Sequence, residues 1–158
     1  MAVVIVLVVV LALAAVTGVT VWIRRTASCG RTTEVPSGEL TRSWTGDVMC
    51  RSAITSGGFA RLELFDWGVR LRGVPVLSSW LVPTWEARYD ELALAELVTL
   101  RYSRIAVWLR VRGEAGGIGF LSHFGEEILR ELQAHEVPVN RAVAQVGSVA
   151  ELYARGPE

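Results

Sequence analysis

From Ala2 to Ile23 the chain runs for twenty-two residues without a charged side chain. The run is almost wholly Val, Leu, Ile and Ala, interrupted by Thr17, Gly18 and Thr20 and closing on Trp22. As a helix it would span about 33 Å, enough for a hydrocarbon core of ~30 Å. Trp22 falls where an amphipathic indole suits the headgroup region, and Arg24 and Arg25 follow at once. This pattern predicts a transmembrane helix over 2–23. Its N-terminal side offers only the α-amino group, whereas Arg24, Arg25 and then Arg31 flank the other end. The positive-inside rule therefore predicts a single-pass plasma-membrane protein, its N-terminus outside and everything after the span cytoplasmic. A cleaved signal peptide would need a basic n-region and usually a shorter apolar core. Thr26 to Cys29 loosely resembles a lipoprotein cleavage site, but Arg24 and Arg25 lie where the apolar segment should still be running.

The remaining 133 residues, Thr26 to Glu158, are enough for one domain with its own core. Their charge is uneven. Arg24 to Arg61 hold six Arg against three acids, whereas Gly113 to Glu158 hold three Arg against seven acids. Such a gradient fits a basic face toward anionic lipid and an acidic face away from it. All sixteen basic side chains are Arg, which points to coding bias in a high-G+C bacterial genome rather than to selected guanidinium chemistry. In a reducing cytoplasm Cys29 and Cys50 read as free thiols. Without matching Cys or His pairs they cannot close a zinc site.

Ser, Thr, Gly and Pro dominate up to Gly38, so 24–39 reads as a flexible linker. Leu40 to Ile54 reads as a first strand region. The clearest β signal is Phe59 to Gly73: Ala60, Leu62 and Leu64 alternate with Arg61 and Glu63, and Val69 and Leu71 with Arg70 and Arg72. With Asp66-Trp67 as a two-residue turn, Leu64 faces Val69 and Leu62 faces Leu71 inside, while Glu63 faces Arg70 outside. A slip of one residue would destroy both matches. Trp85, Ala87 and Tyr89 mark another half-buried strand. Glu91 to Leu100 fits either helix or strand, and the adjacent elements favour a short strand or turn; Ile105 to Val111 reads as a long strand with Trp108, Arg110 and Arg112 on its outer face. Gly113 to Gly117 reads as a turn and Ile118 to Leu121 as a short strand. At Ser122 the period changes: Phe124, Ile128, Leu129 and Leu132 recur at helical spacing, with Glu126 and Glu127 in the first turn. Pro138 ends that helix. Val143, Val146, Val149 and Leu152 at spacing three predict a second helix, bent near Gly147-Ser148.

Strands in succession closed by an amphipathic helix predict an α+β domain built on a strongly bent antiparallel sheet or partial barrel. Three stretches carry a resemblance: Ala60 to Arg72, Trp85 to Leu92, and Ile118-Gly119-Phe120 running into Glu127-Ile128-Leu129. They resemble small bacterial membrane proteins with a pleckstrin-homology-like or GRAM-like domain, found mostly in high-G+C Gram-positive bacteria. The resemblance spans about Gly58 to Asn140. It implies a seven-stranded bent sheet with a C-terminal helix, a lipid- or protein-binding role, and no catalytic residues. The division expected is a transmembrane helix (2–23), a linker (24–39), a PH-like domain (40–140) and a C-terminal extension (141–158) read as helical. A Lys/Arg-rich loop spaced for a phosphoinositide headgroup is absent from the sequence.

No residue set identifies catalysis, a cofactor or a metal. Gly116-Gly117-Ile118-Gly119 lacks the Lys and following helix of a nucleotide loop. His123 with Glu126 or Glu127 has helical spacing but no third ligand; neighbours such as Ser122 and His123 rarely set a nucleophile–base geometry, and no Asp is placed to orient His123. The candidate anchor flanks are Trp22, Arg24 and Arg25. The candidate partner or lipid contacts are Arg70, Arg72, Trp108 and Arg110 on the outer strand faces, together with Leu77, Trp80 and Leu81 within Val74 to Val82. That last segment reads either as buried sheet closure or as an exposed apolar patch. Thr26 to Glu158 holds fourteen Arg and sixteen acids, so nucleic acid is not expected, and no small-molecule substrate is identified. The expected function is a membrane-anchored, non-enzymatic interaction module binding a partner protein or the bilayer surface. The alternatives are a structural subunit of a membrane complex, docking through Arg141 to Tyr153, and an anchored enzyme without a recognisable motif.

Overall fold

A computed structural model describes residues 31–32, 37–50, 53–54, 57–74, 82, 84–100 and 104–154. The expected anchor with Trp22, Arg24 and Arg25, and the segment with Leu77, Trp80 and Leu81, lie outside the described residues. No helix among the described residues is long and apolar enough to cross a membrane.

The described chain is α+β. Nine strands form one sheet: β1 (Leu40–Cys50), β2 (Ala53–Ile54), β3 (Ala60–Phe65), β4 (Gly68–Gly73), β5 (Trp85–Arg88), β6 (Leu92–Leu100), β7 (Arg104–Val111), β8 (Ile118–Leu121) and β9 (Val139–Val146). The order across the sheet is β5-β4-β3-β1-β8-β7-β6-β9, with β2 paired to β1. Two helices, α1 (Gly125–Ala134) and α2 (Val149–Ala154), complete it.

The β3–β4 hairpin has the register that the alternation requires, with Leu62 opposite Leu71, Glu63 opposite Arg70 and Leu64 opposite Val69. Its inward side chains are fully buried. Strand β1 changes partner along its length. Its first half pairs with β3, and from Asp47 it pairs with β8. Gly46 sits at this changeover, where a Cβ would collide with the Leu121 carbonyl and the Phe120 ring. Only glycine lets the strands approach so closely there.

The sheet is packed on both faces. The inner core gathers Trp44, Leu62, Leu64, Leu71, Val107, Leu109 and Phe120 with Ile128, Leu129 and Leu132 of α1. A second cluster, on the other face, joins Met49, Val98, Ala106 and Trp108 to Val146, Val149 and Leu152. Tyr153 closes it: the ring meets Trp108 edge-on at 5.3 Å and the hydroxyl donates to the Gly117 carbonyl at 2.5 Å.

Several sequence expectations need correction. Arg141 to Val146 is strand, not helix: β9 runs parallel to the edge of β6, beginning with Val139 opposite Ala95. Its β-branched valines suit a strand, and β6 has an edge to be paired. Leu92 to Leu100 is a nine-residue strand entered through a 3-10 turn at Tyr89–Glu91, not a short strand or turn. Arg31, assigned by composition to a flexible linker, bridges to Trp85 at the β5 edge and pairs with Glu91 (2.8 Å) and Glu114 (3.1 Å). Cys50 is disulfide-bonded, not a free thiol. The chain's other cysteine, Cys29, lies outside the described residues.

Candidate functional site

Six large hydrophobic side chains are markedly exposed among the described residues, and three of them meet in one place. Ile105 (46% exposed) opens β7, Phe124 (51%) caps the start of α1, and Val143 (54%) sits on β9. Local structure explains the exposure of Val143 and Phe124. Between Asn140 and Ala144, β9 carries three residues where β6 carries one, so Arg141 to Val143 bulge out of the ladder. Asn140 Oδ1 holds that bulge by accepting the Ala142 N–H at 3.0 Å. Phe124 has helical spacing with the buried Ile128, but it stands one residue ahead of the helix and turns outward.

These side chains line an open groove of about 670 Å³. Buried Leu97 and Leu121 form part of its lining, and Asp47, Ser122, His123 and Glu126 supply polar groups. A second hollow of about 490 Å³ shares His123, Phe124 and Glu126 and continues along α1 past Arg42, Glu127, Arg130 and Glu131. The start of α1 would attract an anion, but Glu126 and Glu127 already occupy its first turn and offset the dipole.

The fold thus brings Ser122, His123 and Asp47 to one groove although they are distant or unaligned in sequence. Their bonds go elsewhere: Ser122 Oγ accepts the Phe124 N–H at 3.3 Å, and Asp47 Oδ1 accepts the Gly58 N–H at 2.8 Å. Among the described residues neither Ser122 nor Asp47 bonds His123. Nor do any three His, Cys, Asp or Glu among them cluster as a metal site requires.

Those residues singled out from the sequence that are described lie elsewhere. Trp108 is completely buried beneath Tyr153, and Arg110 is buried beside Glu96 at 3.8 Å. Alternation put both on the face opposite the inner core; the second cluster covers that face. Arg70 and Arg72 are on the sheet surface but already engaged. Arg72 forks onto Glu63 with contacts of 2.7–3.0 Å, and that bond, the largest influence, raises its pKa. Arg70 reaches Glu86 at 2.5 Å and lies over the Phe65 ring at 4.8 Å. Glu63 therefore pairs with its diagonal neighbour rather than with Arg70 directly opposite. Arg42 bridges to Glu127 and Glu131, each at 3.5 Å, and Arg88 to Asp90 at 3.1 Å.

At the far end of α1, Tyr89 donates its hydroxyl proton to the Phe65 carbonyl at 2.7 Å and stacks on His135 at 4.1 Å. Burial, followed by the charges of Asp66 and Glu131, pushes its phenol above the usual range. No sequence signal marks the groove, because its residues come from β1, β6, β7, β8, α1 and β9. No protein-family model, curated protein or solved structure matches the chain.

Proposed function

We propose that this protein is a single-pass membrane protein whose PH-like domain is a non-enzymatic interaction module, with the groove at the start of α1 as its partner contact. The observation that carries this reading is the convergence of exposed Ile105, Phe124 and Val143 from three elements far apart in sequence. An apolar rim of that kind marks a contact surface more than a solvated face does. The seven strands β1 and β3 to β8, closed by α1, agree with the succession the family resemblance implies. A partner protein suits the groove better than the bilayer does. The arginines expected to meet anionic lipid are engaged with Glu63 and Glu86. Co-purification of the full-length protein from its native membrane tests the reading. A stoichiometric partner is expected; recovery of the chain alone under mild extraction would sink it.

One observation favours a second reading of the topology. Positive-inside flanks argue for a cytoplasmic domain, but Cys50 is disulfide-bonded, and disulfides persist mainly in oxidising compartments. In this reading the domain faces outward. Labelling intact cells with a membrane-impermeant thiol reagent, with and without prior reduction, decides between them. New labelling only after reduction by an impermeant phosphine places the domain outside; labelling only after lysis places it in the cytoplasm.

A further inference from the structure

We propose that the groove binds an extended, positively charged peptide segment of a partner protein. One apolar side chain would seat among Ile105, Phe124 and Val143, with a Lys or Arg beside Glu126 and Asp47. This rests on the interaction-module reading and supplies the chemistry of the partner.

Charge complementarity carries the choice. The first hollow is lined by two carboxylates, Asp47 and Glu126, and by no arginine. Glu126 is exposed and makes no ion pair among the described residues, so its charge is available to a ligand. Anionic headgroups and phosphates would meet repulsion in this hollow, and the helix dipole that could draw them is already offset. Shape argues for a chain rather than a compact molecule. The apolar hollow runs into the second one along α1, whose walls carry both signs of charge. A peptide could place an apolar anchor in the first and polar side chains in the second, the division seen where a buried anchor is ringed by polar contacts.

The test uses the purified full-length chain in neutral detergent and three fluorescent synthetic peptides of equal length. One has a central Phe flanked by Arg, the second replaces that Phe by Ser, and the third replaces the Arg by Glu. Anisotropy should report binding of the first alone, weakening as salt is added. Phe124→Ser should weaken it about tenfold, the scale of one lost anchor contact. Glu126→Arg should shift preference from the Arg peptide to the Glu peptide. Both side chains are exposed, and near-ultraviolet circular dichroism with a thermal melt checks that each variant keeps its fold. Binding indifferent to peptide charge, or a preference unmoved by Glu126→Arg, would overturn the proposal. So would a Phe124→Cys variant whose attached dye blue-shifts in phosphatidylglycerol vesicles without peptide, since the bilayer would then occupy the groove. If a native partner co-purifies equally with wild type and both variants, the groove assignment falls while the interaction module stands. If no partner co-purifies and no peptide binds, both fall.

Discussion

Leu152→Ala probes the least expected feature of the fold, the second core beneath the C-terminal segment. Leu152 is 1% exposed and packs with Val146 and Val149 over Met49, Val98 and Trp108. Removing its side-chain methyls and leaving a partly collapsed cavity should cost about 3 kcal/mol, within the usual range for Leu→Ala in a core. For a domain of this length that corresponds to a fall in Tm of roughly 10 °C. The assay is thermal unfolding of the full-length protein in detergent, followed by near-ultraviolet circular dichroism, where the Trp108–Tyr153 contact contributes to the signal. Val143→Ser, on an exposed side chain of the same C-terminal segment, should cost less than about 0.5 kcal/mol. Gly116→Ala should act in the same direction as Leu152→Ala. Its φ of +94° disfavours a side chain, and a Cβ there would strike the Tyr153 ring. An unchanged Tm for Leu152→Ala would refute the reasoning and return the C-terminal segment to the role of a free docking element.

Two further perturbations follow from buried polar groups. Because the Tyr89 phenol is held above its ordinary pKa of about 10, the unfolded chain loses that proton first as pH rises, so stability is full below about pH 10 and declines above it. Tyr89→Phe should flatten that alkaline decline in urea unfolding, at a neutral-pH cost of about 1 kcal/mol for the lost bond to the Phe65 carbonyl. A decline identical to wild type would assign it to other groups. Arg72→Ala strands the Glu63 carboxylate, which is 2% exposed. Since Arg72 is itself 40% exposed and water can partly replace it, the expected cost is about 1–3 kcal/mol, below the range for a wholly buried pair. Glu63→Gln should cost less, and the reverse ranking in chemical denaturation would contradict the assignment.

What could be read from the sequence tracks where one local rule acted alone. The β3–β4 register was legible because a strict period of two over Ala60 to Arg72 leaves one pairing that buries Leu62, Leu64, Val69 and Leu71. Ile128, Leu129 and Leu132 were legible by helical spacing. Phe124 obeys the same spacing but precedes the first helical residue, so periodicity alone misassigned it. Alternation correctly separated the two faces of β7, yet it could not reveal that the Trp108 face is also covered, because that cover comes from Val146 to Tyr153. The valines of β9 satisfied helical spacing, and the unfilled edge of β6 decided for strand. The groove is the extreme case, since Asp47, Leu97, Ile105, Phe124 and Val143 share no motif and meet only through the change of partner along β1 at Gly46 and the bulge in β9.

The most direct measurement of the central claim is photo-crosslinking from position 124 in native membranes, with Phe124 replaced by a benzophenone amino acid in the full-length chain. A matching replacement at Arg88, an exposed residue on β5 at the other end of the strand order, serves as control. The groove as partner contact requires a discrete protein adduct from position 124 that is absent from position 88 and disappears when Glu126→Arg is added. Crosslinking of position 124 to lipid alone, or the same adduct from both positions, would contradict it.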